Sequence, residues 1–106
     1  MKKSKDNIDH LNILRELNKN PNISQRTLAK ELGLSLGKIN YCLFALKDKG
    51  LIKINNFQKS KNKLSYLYLL TPKGINEKKS LIVKFMKIKM GEYDFLQKEL
   101  EELNNE

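Results

Sequence analysis

The sequence predicts a mainly α fold with one small β-hairpin, and three features carry that prediction. Two short helical patterns joined by a glycine lie between Ser24 and Gly50, two alternating runs come next, and an apolar helical pattern then continues to about Leu103. The 106 residues suffice for one modest core with an appendage and are too few for two cores. We divide the chain into residues 1–74, which hold the helix pair and hairpin, and residues 75–106, a C-terminal amphipathic helix.

Met1 to Asn7 is short and charged, and is expected to fray. From Ile8 through Leu11, Leu14 and Leu17 the spacing predicts an amphipathic helix that packs beneath the helix pair. Ser24 is placed to cap the next helix after Pro21 and Asn22, and Leu28, Ala29 and Leu32 share one of its faces. Ala29 is small where a second helix must cross closely. Gly33 suits the turn out of this helix, and Leu34 is expected to pack into the angle between the two.

Ser35 caps the following helix, which turns Ile39, Leu43 and Leu46 inward and stops at Gly50. Its other faces carry Lys38, Asn40, Tyr41 and Lys47. A helix seated on a core by an apolar stripe, with donors in its first turns, can offer those donors to base edges in a major groove. Two amphipathic helices joined by a turn also occur in ordinary helical domains. The residues after Gly50 separate the two readings.

There the period changes: Leu51 to Asn55 alternates as a strand, Asn56 to Lys63 reads as a polar basic loop, and Ser65 to Leu70 alternates again. This is a hairpin whose loop carries Lys59, Lys61 and Lys63, interleaved with Gln58, Ser60 and Asn62. Such a tip can neutralise phosphates and enter a minor groove while adding little base information. The competing role is a solvated turn whose charges only maintain solubility.

Thr71 can cap, and Pro72 can open, the last helix. Ile75, Leu81, Ile82, Phe85, Met86 and Met90 mark its first half; Tyr93, Leu96, Leu100 and Leu103 continue at alternating spacings of three and four, a heptad seam. One small domain has little surface on which to bury so long a stripe, so the partner expected is an identical helix. Ile82, Phe85, Met86, Tyr93, Leu96, Leu100 and Leu103 are the candidate dimer contacts. The alternative is that this helix folds back on its own domain. Gly91 is a candidate bend.

The run LGLSLGKINYCLFALKDKGLI, the basic hairpin and the closing YLYLLTPKG resemble the winged helix-turn-helix of MarR-type transcriptional regulators. The likeness spans Leu11 to Gly74, and the short chain with its C-terminal helix is similar to small MarR-like regulators of exopolysaccharide gene clusters. It implies a homodimer that binds a roughly palindromic double-stranded DNA operator. By the family pattern Ser35, Gly37, Lys38, Asn40 and Tyr41 enter the major groove, and Gln25 and Arg26 meet a phosphate at a helix N-terminus. Asn40 can read adenine, Lys38 can reach guanine or a phosphate, and Tyr41 can meet a phosphate or a thymine methyl. Larger members often carry an Asp and Arg pair in the wing, whereas no Asp or Arg lies between Asp48 and Asp94 here.

Charge is distributed as that reading requires. The net charge is +9, yet residues 1–74 hold fifteen Lys or Arg against five Asp or Glu, and residues 75–106 hold six against seven. The excess lies with the helix pair and hairpin, as a DNA footprint requires. Nothing resembles a signal peptide or a membrane span, so a cytoplasmic location with no membrane partner is expected.

Cys42, the only cysteine, rules out an intramolecular disulfide and falls on the buried stripe, where packing is the expected role in place of oxidant sensing. His10, the only histidine, is expected at the surface. No triad, phosphate loop or metal spacing is present, so no catalytic residue, metal or cofactor is expected and the chain is not read as an enzyme. A small-molecule effector is unknown from the sequence. The rival function is a winged-helix module for protein interaction, kept open by Phe44, or for RNA or single strands, kept open by Tyr66 and Tyr68.

Overall fold

The computed structural model describes residues 2–61 and 63–105, with side-chain surroundings given for all of these except 2–5, 57–60 and 63–64. The elements are α1 (Lys2–Lys19), α2 (Gln25–Leu32), α3 (Leu36–Asp48), β1 (Ile52–Ser60), β2 (Lys63–Leu70) and α4 (Pro72–Asn104). The mainly α architecture with a single antiparallel hairpin is the one expected.

Helix α1 begins at Lys2, before the expected apolar stripe, and from Asp6 onward it has a partner in α3. The Lys38 ammonium donates to Asp6 Oδ1 at 2.9 Å and lies 4.0 Å from Asp9 Oδ2. Further along, Leu11, Ile13, Leu14 and Leu17 are buried, while Ile8 is exposed. The inward face thus includes Ile13 in place of Ile8.

The junction between α2 and α3 is set by its caps. Ser24 Oγ accepts from the Thr27 N–H at 3.1 Å, and Ser35 Oγ accepts from the Lys38 N–H at 3.0 Å, satisfying donors that the first turns leave free. Gly33, at φ +66°, ends α2 in the left-handed region, and the Leu34 N–H returns to the Ala29 carbonyl at 3.0 Å. Leu34 then packs on a core formed by Leu28, Ala29, Ile39, Cys42, Leu43 and Leu46 with the inward face of α1.

The hairpin is longer than its alternation indicated. Pairing runs from Ile52 with Leu70 to Ser60 with Lys63, so most of the expected loop is strand, and Lys59 and Lys63 lie on strands. The register shifts between Gln58 and Ser60, a bulge that leaves Lys59 as an extra residue on β1. The ladder joins backbone groups whatever the side chains are, so a segment from Asn56 to Lys63 whose one apolar residue is Phe57 gave no hydrophobic pattern for the outer strand.

The start of α4 is tied to the end of α3. Thr71 Oγ1 accepts from the Gly74 N–H at 3.0 Å and donates to the Gly50 carbonyl at 2.6 Å, while the Lys73 ammonium donates to the Lys49 carbonyl at 2.9 Å. A methyl group on Gly74 would overlap the Leu51 carbonyl oxygen, so only glycine permits this approach. Helix α4 continues through Gly91 to Asn104. Leu81 is buried, and Ile82 and Phe85 pack on the domain's own core. From Met86 onward the helix is exposed, giving a molecule 72 Å along its longest axis.

Candidate nucleic-acid interface

Four inward residues, Ile39, Cys42, Leu43 and Leu46, set the orientation of α3. At about 100° per residue, the opposite edge of the helix is formed by Gly37, Tyr41 and Phe44. All three are exposed, Tyr41 by 63% and Phe44 by 57%. Asn40 is exposed on the side facing the hairpin. Lys38 lies on the other flank, toward α1, with its ammonium 5.5 Å from the centre of the Tyr41 ring. The carboxylate of Asp6 accepts a hydrogen bond from this ammonium and raises its pKa.

Between α3 and the hairpin runs a cleft of about 340 Å³, lined by Gln25, Asn40, Phe44, Lys47, Ile54 and Tyr66, with Leu43 and Tyr68 at its base. Tyr68 is buried, its N–H donates to the Pro21 carbonyl at 2.9 Å, and its hydroxyl accepts from Gln25 Nε2 at 3.3 Å. These bonds anchor the base of the hairpin to α2 without an Asp and Arg pair. The Tyr66 and Tyr68 rings stack at 6.3 Å between centroids, but only Tyr66 is exposed.

The residues nominated from sequence therefore separate. Ser35, Gly37, Asn40 and Tyr41 are exposed together at the start of α3, and Arg26 is exposed at the start of α2. Gln25 is half-buried and bonded to the hairpin. Lys61 is exposed at the hairpin tip, while the side chains of Lys59 and Lys63 lie outside the described residues. Lys47, Phe44 and Tyr66 also line the cleft, although none was nominated as a DNA contact. Spacing held that signal for two of them, since Phe44 and Lys47 come four and seven residues after Asn40.

Cys42 is fully buried, and burial raises its pKa, which opposes the reactive thiolate. His10 is half-buried in a cleft with Asp6, Asn7, Tyr41, Ala45 and Lys49, a more enclosed position than its place in the sequence indicated. Burial and then the Lys49 ammonium lower its pKa. Among the described residues no group of three or more His, Cys, Asp or Glu could hold a metal ion, and no helix is long and apolar enough to cross a membrane.

Three helices, a hairpin beside an exposed third helix and a glycine turn before it define a winged helix-turn-helix protein. A family model described as winged helix-turn-helix DNA-binding matches residues 10–53. No curated protein sequence matches the chain. Among solved structures, the PcaV transcriptional regulator from Streptomyces coelicolor in complex with its natural ligand is similar at 22% identity and a TM-score of 0.66, over 76% of this chain and 55% of PcaV. Staphylococcus aureus MarR in complex with salicylate and kanamycin is similar at 19% identity and a TM-score of 0.60, over 91% of this chain and 67% of that protein. A mutant of S. aureus MepR bound to an oligodeoxyribonucleotide is similar at 18% identity and a TM-score of 0.62, over 81% of this chain and 62% of MepR. The fold is thus that of MarR-type regulators, and the chain spans little more than half the length of PcaV.

Proposed function

We propose that the protein is a cytoplasmic transcriptional regulator that binds a roughly palindromic double-stranded DNA site as a homodimer. The observation that carries this reading is the outward edge of α3, where Gly37, Tyr41 and Phe44 stand exposed, with Asn40 exposed on the flank toward a basic hairpin, and none of the described residues covers them. Ser35, Gly37, Asn40 and Tyr41 enter the major groove, Arg26 and Gln25 face a phosphate, and Lys59, Lys61 and Lys63 track the adjacent backbone. Residues 1–74 supply these contacts. MepR was captured with an oligodeoxyribonucleotide, which supports the same use of the shared fold.

The C-terminal helix supplies the second half of the reading. Met86, Tyr93 and Leu100 recur every seven residues, as do Leu96 and Leu103, and all five are exposed. Val83, Ile88, Met90 and Phe95 widen the apolar arc in mid-helix beyond one seam, so a partner covers it with more than a single helix. The partner's α4 fits the seam, and a two-fold pair sets two copies of α3 about one DNA turn apart. Ile82 and Phe85, packed on their own core, lie at the inner margin of this contact. Resemblance to the exopolysaccharide-associated regulators supports genes of that kind as the target.

The test is affinity for a duplex selected from genomic fragments. Asn40→Ala and Tyr41→Ala each weaken binding by about tenfold with the fold intact by circular dichroism, the usual scale for one lost base contact. Unchanged affinity in both variants would move the readout off this edge. A single-strand or RNA module retains one feature, exposed Tyr66. It predicts preference for single strands and loss on Tyr66→Ala.

A further inference from the structure

Lys38 is the one cation nominated in the first turn of α3, yet its surroundings differ from those of a groove-facing lysine. It sits about a quarter-turn from the outward edge marked by Gly37 and Phe44, on the flank toward α1. Its ammonium donates to Asp6 Oδ1 at 2.9 Å, lies 4.0 Å from Asp9 Oδ2 and stands over the Tyr41 ring at 5.5 Å. Asp9 is buried, and among the described residues its Oδ2 has no hydrogen-bond partner. Moving the ammonium to a DNA phosphate would leave that buried carboxylate without its nearby cation, and an uncompensated buried charge is strongly unfavourable.

We propose that Lys38 is a positioning residue: with Asp6 and Asp9 it clamps the first turn of α3 to α1 and fixes the Tyr41 ring for the duplex. This rests on the DNA-binding reading of the protein and narrows it by assigning the first-turn lysine to a half-buried ion pair within the protein. Direct contact with the duplex falls to Asn40 and Tyr41. The chain from Asp6 to Lys38 to Tyr41 makes the early turns of α1 part of the DNA-binding machinery, although they lie on another element.

The experiment measures affinity and its salt dependence for the selected duplex, using the full chain. Lys38→Met and the double variant Asp6→Asn with Asp9→Asn each weaken binding by about tenfold and leave the slope of log K against log salt unchanged, because no phosphate contact is lost. Combining all three substitutions costs no more than either set alone. In a Tyr41→Ala background Lys38→Met has no further effect, which general unfolding would not produce. The assignment is overturned if Lys38→Met reduces the salt slope by about one while the aspartate variant tightens binding, the behaviour of a phosphate-contacting lysine. It is equally overturned if wild type binds and no variant differs from it. Absence of duplex binding by wild type would overturn the proposed function, and this assignment with it.

Discussion

Two glycines in α4 show how differently the same residue type is used. A side chain at Gly74 would meet the Leu51 carbonyl, whereas nothing lies within 4 Å of one at Gly91. Gly74→Ala should therefore cost about 1–3 kcal/mol in urea denaturation through overpacking. Gly91→Ala should add about 0.5–1 kcal/mol through helix propensity. His10 gives a second residue-scale prediction. Its pKa is lowered in the folded state, by burial first, then by Lys49, with Lys38 acting the same way and Asp6 and Asp9 opposing. The unfolded chain thus binds the proton more tightly, and stability falls as pH drops through the ordinary histidine value of about 6.5 toward the folded one. Thermal melts between about pH 7.5 and 5.5 should show that loss, and His10→Gln should flatten it. Of these features the caps at Ser24, Ser35 and Thr71 were legible in the sequence, because capping depends on local spacing. The environments of His10 and Lys38 were not, since both are set by α1 lying against α3, a long-range packing that no local pattern encodes.

At the scale of elements, legibility tracked burial. Helices α2 and α3 were read closely because each has one face pressed on the core, which forces helical apolar spacing. From Asn56 to Lys63 the one apolar residue is Phe57, and the sequence there carried no apolar alternation to mark a strand. The start of α1 was missed for a similar reason, since Lys2 to Asn7 include no apolar residue to mark a period. In α4 the apolar pattern was plain, but it merged two contacts: Leu81, Ile82 and Phe85 cover the domain's own core, and Met86 onward is exposed. The exposed distal part is the surface that the proposed dimer would bury. Leu96→Glu with Leu100→Glu should convert the dimer to a folded monomer in sedimentation and lower affinity for the selected duplex by at least about a hundredfold, since one half-site is then read alone. A variant that stayed dimeric would remove this helix from the interface.

Over the whole molecule, charge and shape are arranged for one task. The positive excess lies in residues 1–74, with the exposed edge of α3 and the hairpin, while residues 75–106 are nearly neutral and carry an exposed apolar seam from Met86 onward. A basic reader joined to an arm with an apolar seam is the division of labour that the proposed two-fold DNA binding requires. The cleft that holds Phe44 and Tyr66 is the feature a single-strand binder would use most. Selection of bound duplexes from a random-sequence pool tests the central claim most directly. Enriched fragments should contain two inverted half-sites centred about one helical turn apart, bound more tightly than random duplex or either separated strand at equal salt. Recovery of no common sequence, or tighter binding to single strands than to the duplex, would contradict it.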